Sequence, residues 1–146
     1  MIGYIMFRLG ERPFACRLDE VREVVRLDGL EVLPGMTPPI SGVLELRGNP
    51  LPVVDLRAAH AAVDSVEGAG RAASKGDVLV MATGIDALGV IVDQVTAVHD
   101  EAELVSTGEE RPSGLPDYVT AVLRHRGALQ TPVLLVDLHA MMSVAV

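Results

Sequence analysis

The sequence predicts a mainly β fold of two five-stranded barrels with short helices, and three observations carry that expectation. Apolar and polar residues alternate over short runs, as in YIMFRL at 4–9, where Ile5, Phe7 and Leu9 share one face. Turn formers break the chain repeatedly, with Gly29, Pro34, Gly35, Pro38 and Pro39 in a single stretch. And the chain repeats itself. Sliding it so that Gly10 falls on Gly84 lays LGERPFACRLDEVREVV (9–25) on TGIDALGVIVDQVTAVH (83–99) without a gap, with Asp19 on Asp93, Val21 on Val95 and Val24 on Val98. Further on, GVLELRGNPLPVVDL (42–56) is echoed by AVLRHRGALQTPVLLVDL (121–138). Each half is read as one strand-rich unit.

The elements follow in order. YIMFRL is a half-buried strand, Gly10 to Pro13 a hairpin turn, and PFACRL the return strand. Asp19 is placed to cap one short helical turn before the β-branched Val24 and Val25 resume a strand. GVLELRG and LPVVDL form a strand pair. LRAAHAAV (56–63) is Ala-rich and helix-prone, with Asp55 at the N-cap position. SVEGAGRAASKGD (65–77) reads as a connector. Strand signals return at VLVMAT and LGVIV, and the polar loop STGEERPSGLPD precedes YVTAVLRH. The last strand, PVLLVDL, runs into a short helix, LHAMM, with Asp137 at its cap.

A unit of half this length buries too little surface to be stable alone. Closing each sheet into a barrel removes its edges, and packing two barrels together adds a shared apolar interface. The expectation is a single domain over 1–146 with subdomain halves at about 1–63 and 77–146. The halves are joined by the Gly/Ala-rich connector, the chain end packs back on the first half, and a groove lies between them.

Composition narrows the function. The chain has 146 residues, 49% apolar and 22% charged, which suits a folded core. The apolar share reflects either surface kept for partners or an Ala/Val-rich interior. A net charge of -8 and 3% aromatics, without Trp, argue against nucleic acid, and the charge argues against anionic membranes. The lone Cys16 has no disulfide or metal partner at a useful spacing. The N-terminus does not read as a signal peptide, and no apolar run is long enough to span a membrane. A cytoplasmic location is expected.

The repeated Asp55 and Asp137 could form a proton-sharing dyad, as in duplicated acid hydrolases. Leu56 and Leu138 follow them, where such a site needs a small hydroxyl residue and Gly to turn inward. N-caps are the favoured reading. His60, His99, His125 and His139 lack metal-ligand spacing, the serines lack a nucleophile elbow, and GAGRAASKG lacks phosphate-loop spacing. No catalytic residue, metal or cofactor is expected. The alternatives to a binding protein are an acid hydrolase using Asp55 and Asp137, or a structural, self-assembling barrel module.

GVLELRGNPLPVVDLR resembles the signature of the CheW-like domain of bacterial chemotaxis coupling proteins. The family pattern is Gly, two residues, Asn-Leu-Arg-Gly, three residues, Pro, an apolar pair and Asp-Leu. Here Gly42, Leu46, Arg47, Gly48, Pro52, Val53, Asp55 and Leu56 supply it, with Phe7-Arg8-Leu9-Gly10, VREV at 21–24, LP at 33–34 and LGVIVDQV at 88–95 as flanking matches. Glu45 departs from the usual Asn, and Pro50 stiffens the following turn. The resemblance implies two SH3-like barrels around a common core and a non-catalytic adaptor. Its partners would be the regulatory domain of a CheA-type histidine kinase and the helical cytoplasmic tip of a chemoreceptor. It marks Glu23 and Arg47 as charged positions near the receptor-facing surface, pairing with each other or with a partner. Val21, Val24, Ile40 and Leu44 are candidate lining for an apolar groove.

Overall fold

The computed structural model describes residues 3–37, 39–57, 75–83, 86–100, 104–106, 113–125 and 132–143. Alternation sets the first strand. In β1 (Gly3–Leu9), Ile5, Phe7 and Leu9 are buried, while Tyr4, Met6 and Arg8 are half-buried. It turns at Gly10 and pairs antiparallel with β2 (Arg12–Arg17), which stacks Phe14 on Phe7 with ring centroids 5.8 Å apart. A 3-10 turn, Leu18–Glu20, leads into β3 (Val21–Arg26). Asp19 does not cap this turn. It lies inside it and accepts hydrogen bonds from the Arg17 guanidinium at 3.3 and 3.4 Å.

The remaining strands are β4 (Gly42–Leu46), β5 (Asn49–Asp55), β6 (Asp77–Thr83), β7 (Asp86–Val92), β8 (Gln94–Asp100), β9 (Leu104–Ser106), β10 (Val119–His125) and β11 (Val133–Val136). Helix α1 (Leu138–Ser143) follows. Asp137 caps it as expected: Oδ1 accepts the Ala140 N–H at 3.2 Å. Leu56 and Arg57 begin a helical turn. The rest of the helix expected at 56–63, and the connector up to Ser74, lie outside the described residues.

The fold is mainly β, in two sheets. One has six strands in the order β8-β1-β2-β11-β10-β9, and the other has five in the order β3-β6-β7-β5-β4. The extra strand, β9, was not expected from the sequence. The duplication is visible strand for strand. β1, β2 and β3 correspond to β6, β7 and β8, while β4 and β5 correspond to β10 and β11. The parallel pairs keep the same register in both sheets: Leu135 faces Ala15, and its counterpart Val53 faces Gly89, the counterpart of Ala15.

The sheets do not divide at the connector into 1–63 and 77–146. The first hairpin, β1–β2, sits among the closing strands of the second half, and β6–β7 sits among those of the first. Equivalent elements of two like units can trade places because each presents the same pattern to its neighbours. The exchange welds two marginal units into one body.

Each strand order has two ends, yet the chain brings those ends together. β8 and β9 are opposite edges of one sheet, and only residues 101–103 separate them in sequence, a reach of at most roughly 14 Å. In the other sheet the chain leaving β3 returns to the far edge. There Glu31 and Val43 exchange N–H···O bonds of 2.9 and 2.7 Å. Both sheets therefore curl towards barrels. Gly42 permits the close approach, since a Cβ there would lie 2.6 Å from Leu30 Cδ1 and 2.9 Å from the Glu31 carbonyl oxygen.

Side-chain alternation divides the core. Val53, Val78, Val80 and Ile91 point into the five-stranded sheet's own interior with Leu44 and Leu51. Their neighbours Val54, Leu79, Met81, Val90 and Val92 point the other way. They meet Ile5, Phe7, Leu9, Phe14 and Val136 of the other sheet, with Leu138, Met141 and Met142 of α1. Strands buried on both faces read as continuous apolar runs, as VLVM and GVIV do.

Candidate protein-docking site

The hairpin joining β4 to β5 turns on two residues, Arg47 and Gly48, between the paired Leu46 and Asn49. Both have positive φ, 49° and 82°. That is the two-residue hairpin geometry whose twist matches the flanking strands, and it normally selects Asn-Gly. Arg47 is the one non-glycine residue with positive φ among the described residues. A side chain held there at a conformational cost points to a local task.

The task is visible in its contacts. Arg47 Nη1 donates to Glu23 Oε2 at 3.0 Å, and Nη2 donates to Oε1, a fork on a carboxylate. Glu23 lies on β3 and Arg47 beyond β4, the two edges of the five-stranded sheet. The pair thus spans the seam of the curled sheet. Arg47's hydrogen bond holds the Glu23 carboxyl below its ordinary range, and Glu23's bond raises the Arg47 guanidinium above its own. Both side chains reach solvent, 68% exposed for Arg47 and 31% for Glu23. An exposed pair contributes little stability and is screened by salt. Its consequence is a fixed guanidinium at the barrel rim.

Beside it opens a groove of about 800 Å³, lined among others by Arg22, Ile40, Leu46, Arg47, Pro52 and Leu88. Backbone direction explains the opening. Val43 spends its N–H and C=O on Glu31, so Gly42, Leu44 and Leu46 face β5, opposite Val53, Leu51 and Asn49. Positions 50 and 52 then face β7, and both are proline, with no N–H to give. Pairing of β5 with β7 begins at Val53 with Gly89, and before that the two strands part. Asp86, Ala87 and Leu88 form one wall and Pro50 and Pro52 the other.

The residues marked as groove lining are scattered by the fold. Ile40 does line this groove and packs against the shared core. Val21 is half-buried against the same core. Val24 is 40% exposed on β3 and stands apart from the groove lining. Leu44 is 3% exposed, inside the five-stranded sheet, because its position in β4 faces the sheet's own interior. It is a core residue rather than a docking surface. The groove belongs to one sheet and the segment before it, whereas the sequence suggested a cleft between barrels.

The repeated aspartates have separate employment. Asp137 caps α1. Asp55 is buried and held by Arg57: Oδ1 accepts from Nε and Oδ2 from Nη2, both at 2.9 Å, and Oδ1 also takes the Arg57 N–H at 2.9 Å. Arg57 Nη1 reaches on to the carbonyl of Lys75. Asp55 therefore caps the chain locally, as expected, but its main partner was missed. Arg57 sits two residues on, inside the quoted motif, and only its burial betrays its role. Cys16 is buried and its thiol is pushed up to about 12, chiefly by burial and then by the charge of Glu20, which leaves it unreactive.

The sequence model for the CheW-like domain matches residues 3–146. The chain belongs to the CheW-like domain family. Among solved structures, the chain resembles the scaffolding protein TtCheW from Thermoanaerobacter tengcongensis. The identity is 22%, with 96% of this chain and 86% of that one covered, at a TM-score of 0.69. That likeness shows the shared fold. No curated protein sequence matches the chain.

The CheW-like signature acquires physical meaning here. Gly42 lets Leu30 and Glu31 close on β4, Arg47 and Gly48 make the turn, and Pro52 ends the β5–β7 pairing. Asp55 anchors Arg57.

Proposed function

We propose that this CheW-like protein is a non-catalytic adaptor that couples chemoreceptor tips to a CheA-type histidine kinase, in chemotaxis or a related motility or signalling pathway. The observation that carries the reading is the groove beside the Glu23–Arg47 pair: an apolar floor with a fixed guanidinium on its rim. An amphipathic helix lays its apolar face into such a groove and can offer a carboxylate to the rim. An adaptor acts by binding two partners on separate surfaces, so that displacement of one changes the other. Membership of the CheW-like family supports the reading. Commitment of Asp55 to Arg57 and of Asp137 to α1 removes support from the acid-hydrolase alternative. Among the described residues, no helix is long and apolar enough to cross a membrane. As a partner of receptor cytoplasmic tips, the proposed adaptor acts in the cytoplasm.

The test is binding of the purified chain to a receptor tip peptide and to the kinase regulatory domain from the same genome, measured separately and together. The adaptor requires a ternary complex. A second reading has one observation of its own: Val24 and Val98, equivalent residues on edge strands, are 40% and 59% exposed, as a self-assembling module would need. Light scattering separates the two. A closed oligomer blind to both partners would favour the structural module.

A further inference from the structure

The chain crosses from the six-stranded sheet to the five-stranded one through the 3-10 turn Leu18–Glu20. Glu20 places its carboxyl at this corner, beside the backbone N–H of Leu138, the first residue of α1. One of its oxygens, Oε2, is shut off from solvent and has no hydrogen-bond partner among the described residues. Asp19 faces Glu20 from the turn itself, and Asp137 and His139 face it from the start of α1. The Cys16 thiol and the Arg17 guanidinium lie near it on β2, with Arg17 already engaged by Asp19. A buried carboxylate oxygen without a donor, among two further carboxylates, is an unfavourable place for a negative charge.

We propose that Glu20 is a proton-controlled joint: protonated, it lets α1 seat against the corner between the sheets, and ionised, it loosens that seat. The seat matters because Leu138, Met141 and Met142 cover the core that both sheets share. The counterpart of Glu20 in the second half is Gln94, which accepts a hydrogen bond from Arg8 Nη2 at 2.6 Å and carries no charge. Only the first corner is built to titrate.

The direction agrees. Burial, with Asp137 and Asp19 adding to it, pushes the Glu20 carboxyl above its ordinary range, against the opposing Leu138 N–H and His139. A carboxyl raised in the folded state contributes stability that is complete below its unfolded value. That contribution is lost as pH rises through the folded value.

The experiment compares wild type with Glu20→Gln, an isosteric change that removes the charge and keeps a carbonyl oxygen beside Leu138. Thermal midpoints are followed from about pH 4 to about pH 8, alongside hydrogen exchange at the Met141 and Met142 amides and the carboxyl-carbon NMR titration of Glu20 in wild type. The expected result is near-equal stability at the acid end and a Gln variant that melts a few degrees higher at the neutral end. The two amides should exchange severalfold faster in wild type at neutral pH. A Glu20 titration at an ordinary carboxylate pH would overturn the proposal, as would a midpoint difference that does not change with pH. The titration uses wild type alone, so the result stands even if the variant folds poorly.

Discussion

Asp55 and Arg57 form a two-pronged ion pair inside the protein, both contacts at 2.9 Å, with side chains 10% and 4% exposed. Arg57 also bonds the Lys75 carbonyl, so one guanidinium ties the end of β5 to the residues that lead into β6. A buried pair with its remaining donors satisfied holds geometry more than it adds net stability.

Breaking one side of that pair strands a buried charge. Arg57→Met and Asp55→Asn should each destabilise, with Arg57→Met costing about 3–5 kcal/mol, because it leaves the carboxylate uncompensated. Combining the two changes should cost less than the sum of the single ones. Urea denaturation of the four proteins measures the coupling. Binding to kinase and receptor should survive in Asp55→Asn wherever the protein is folded, as it should in Asp137→Asn. Acid-pH peptide hydrolysis abolished by both changes would instead restore the hydrolase reading.

The Glu23–Arg47 pair is exposed, and its variants should separate binding from stability. Arg47→Lys keeps charge but loses the fork and should weaken partner binding in part; Arg47→Glu should weaken it strongly. Unfolding midpoints should stay close to wild type. The double swap Glu23→Arg with Arg47→Glu should recover part of the loss if seam geometry is what the partner reads. Arg47→Asn suits the positive φ of the turn and should raise the midpoint while lowering affinity, a trade between stability and function. Normal binding by folded Arg47→Glu would remove Arg47 from the site.

Acid should undo the same pair. Arg47's hydrogen bond depresses the Glu23 carboxyl, so its contribution is present above the unfolded carboxylate value, about 4.3, and is lost as pH falls through the lower folded value. The stability difference between wild type and Glu23→Gln should therefore be constant at neutral pH and vanish at strongly acid pH. High salt should shrink it throughout. A difference that grows on acidification contradicts the assigned partner.

The prolines should be what keeps the groove open. In the parallel register, position 52 lies opposite Leu88, and an N–H there would reach the Ala87 carbonyl. Pro50→Thr with Pro52→Thr should extend the β5–β7 ladder, slow exchange of the Ala87 amide, and leave the fold intact. If the groove receives the partner helix, affinity should drop at least tenfold. Unchanged affinity alongside the slowed exchange would move the docking site elsewhere.

Alternation placed Ile5, Phe7 and Leu9 on the buried face of β1, and the matched Gly10 and Gly84 exposed the duplication. Asp137 was legible as a cap, whereas the turn expected after Gly48 proves to be Arg47-Gly48 itself, with Asn49 and Pro50 already paired in β5. These are local facts: strand period, backbone preference and capping depend on residues a few positions apart. The resemblance to the CheW-like domain drew attention to Glu23 and Arg47 together.

What only the tertiary structure decided is which like element pairs with which. β2 and β7 offer the same pattern to β5 and β11, so the sequence alone cannot say that β2 takes β11 and β7 takes β5. Packing of both sheets at once makes that choice, and with it fixes the shared core, the burial of Leu44 and the meeting of Glu20 with Leu138. The same holds for Arg57. A charged residue beside a motif reads as surface until the fold closes over it, because burial is a property of the whole chain rather than of its neighbours in sequence.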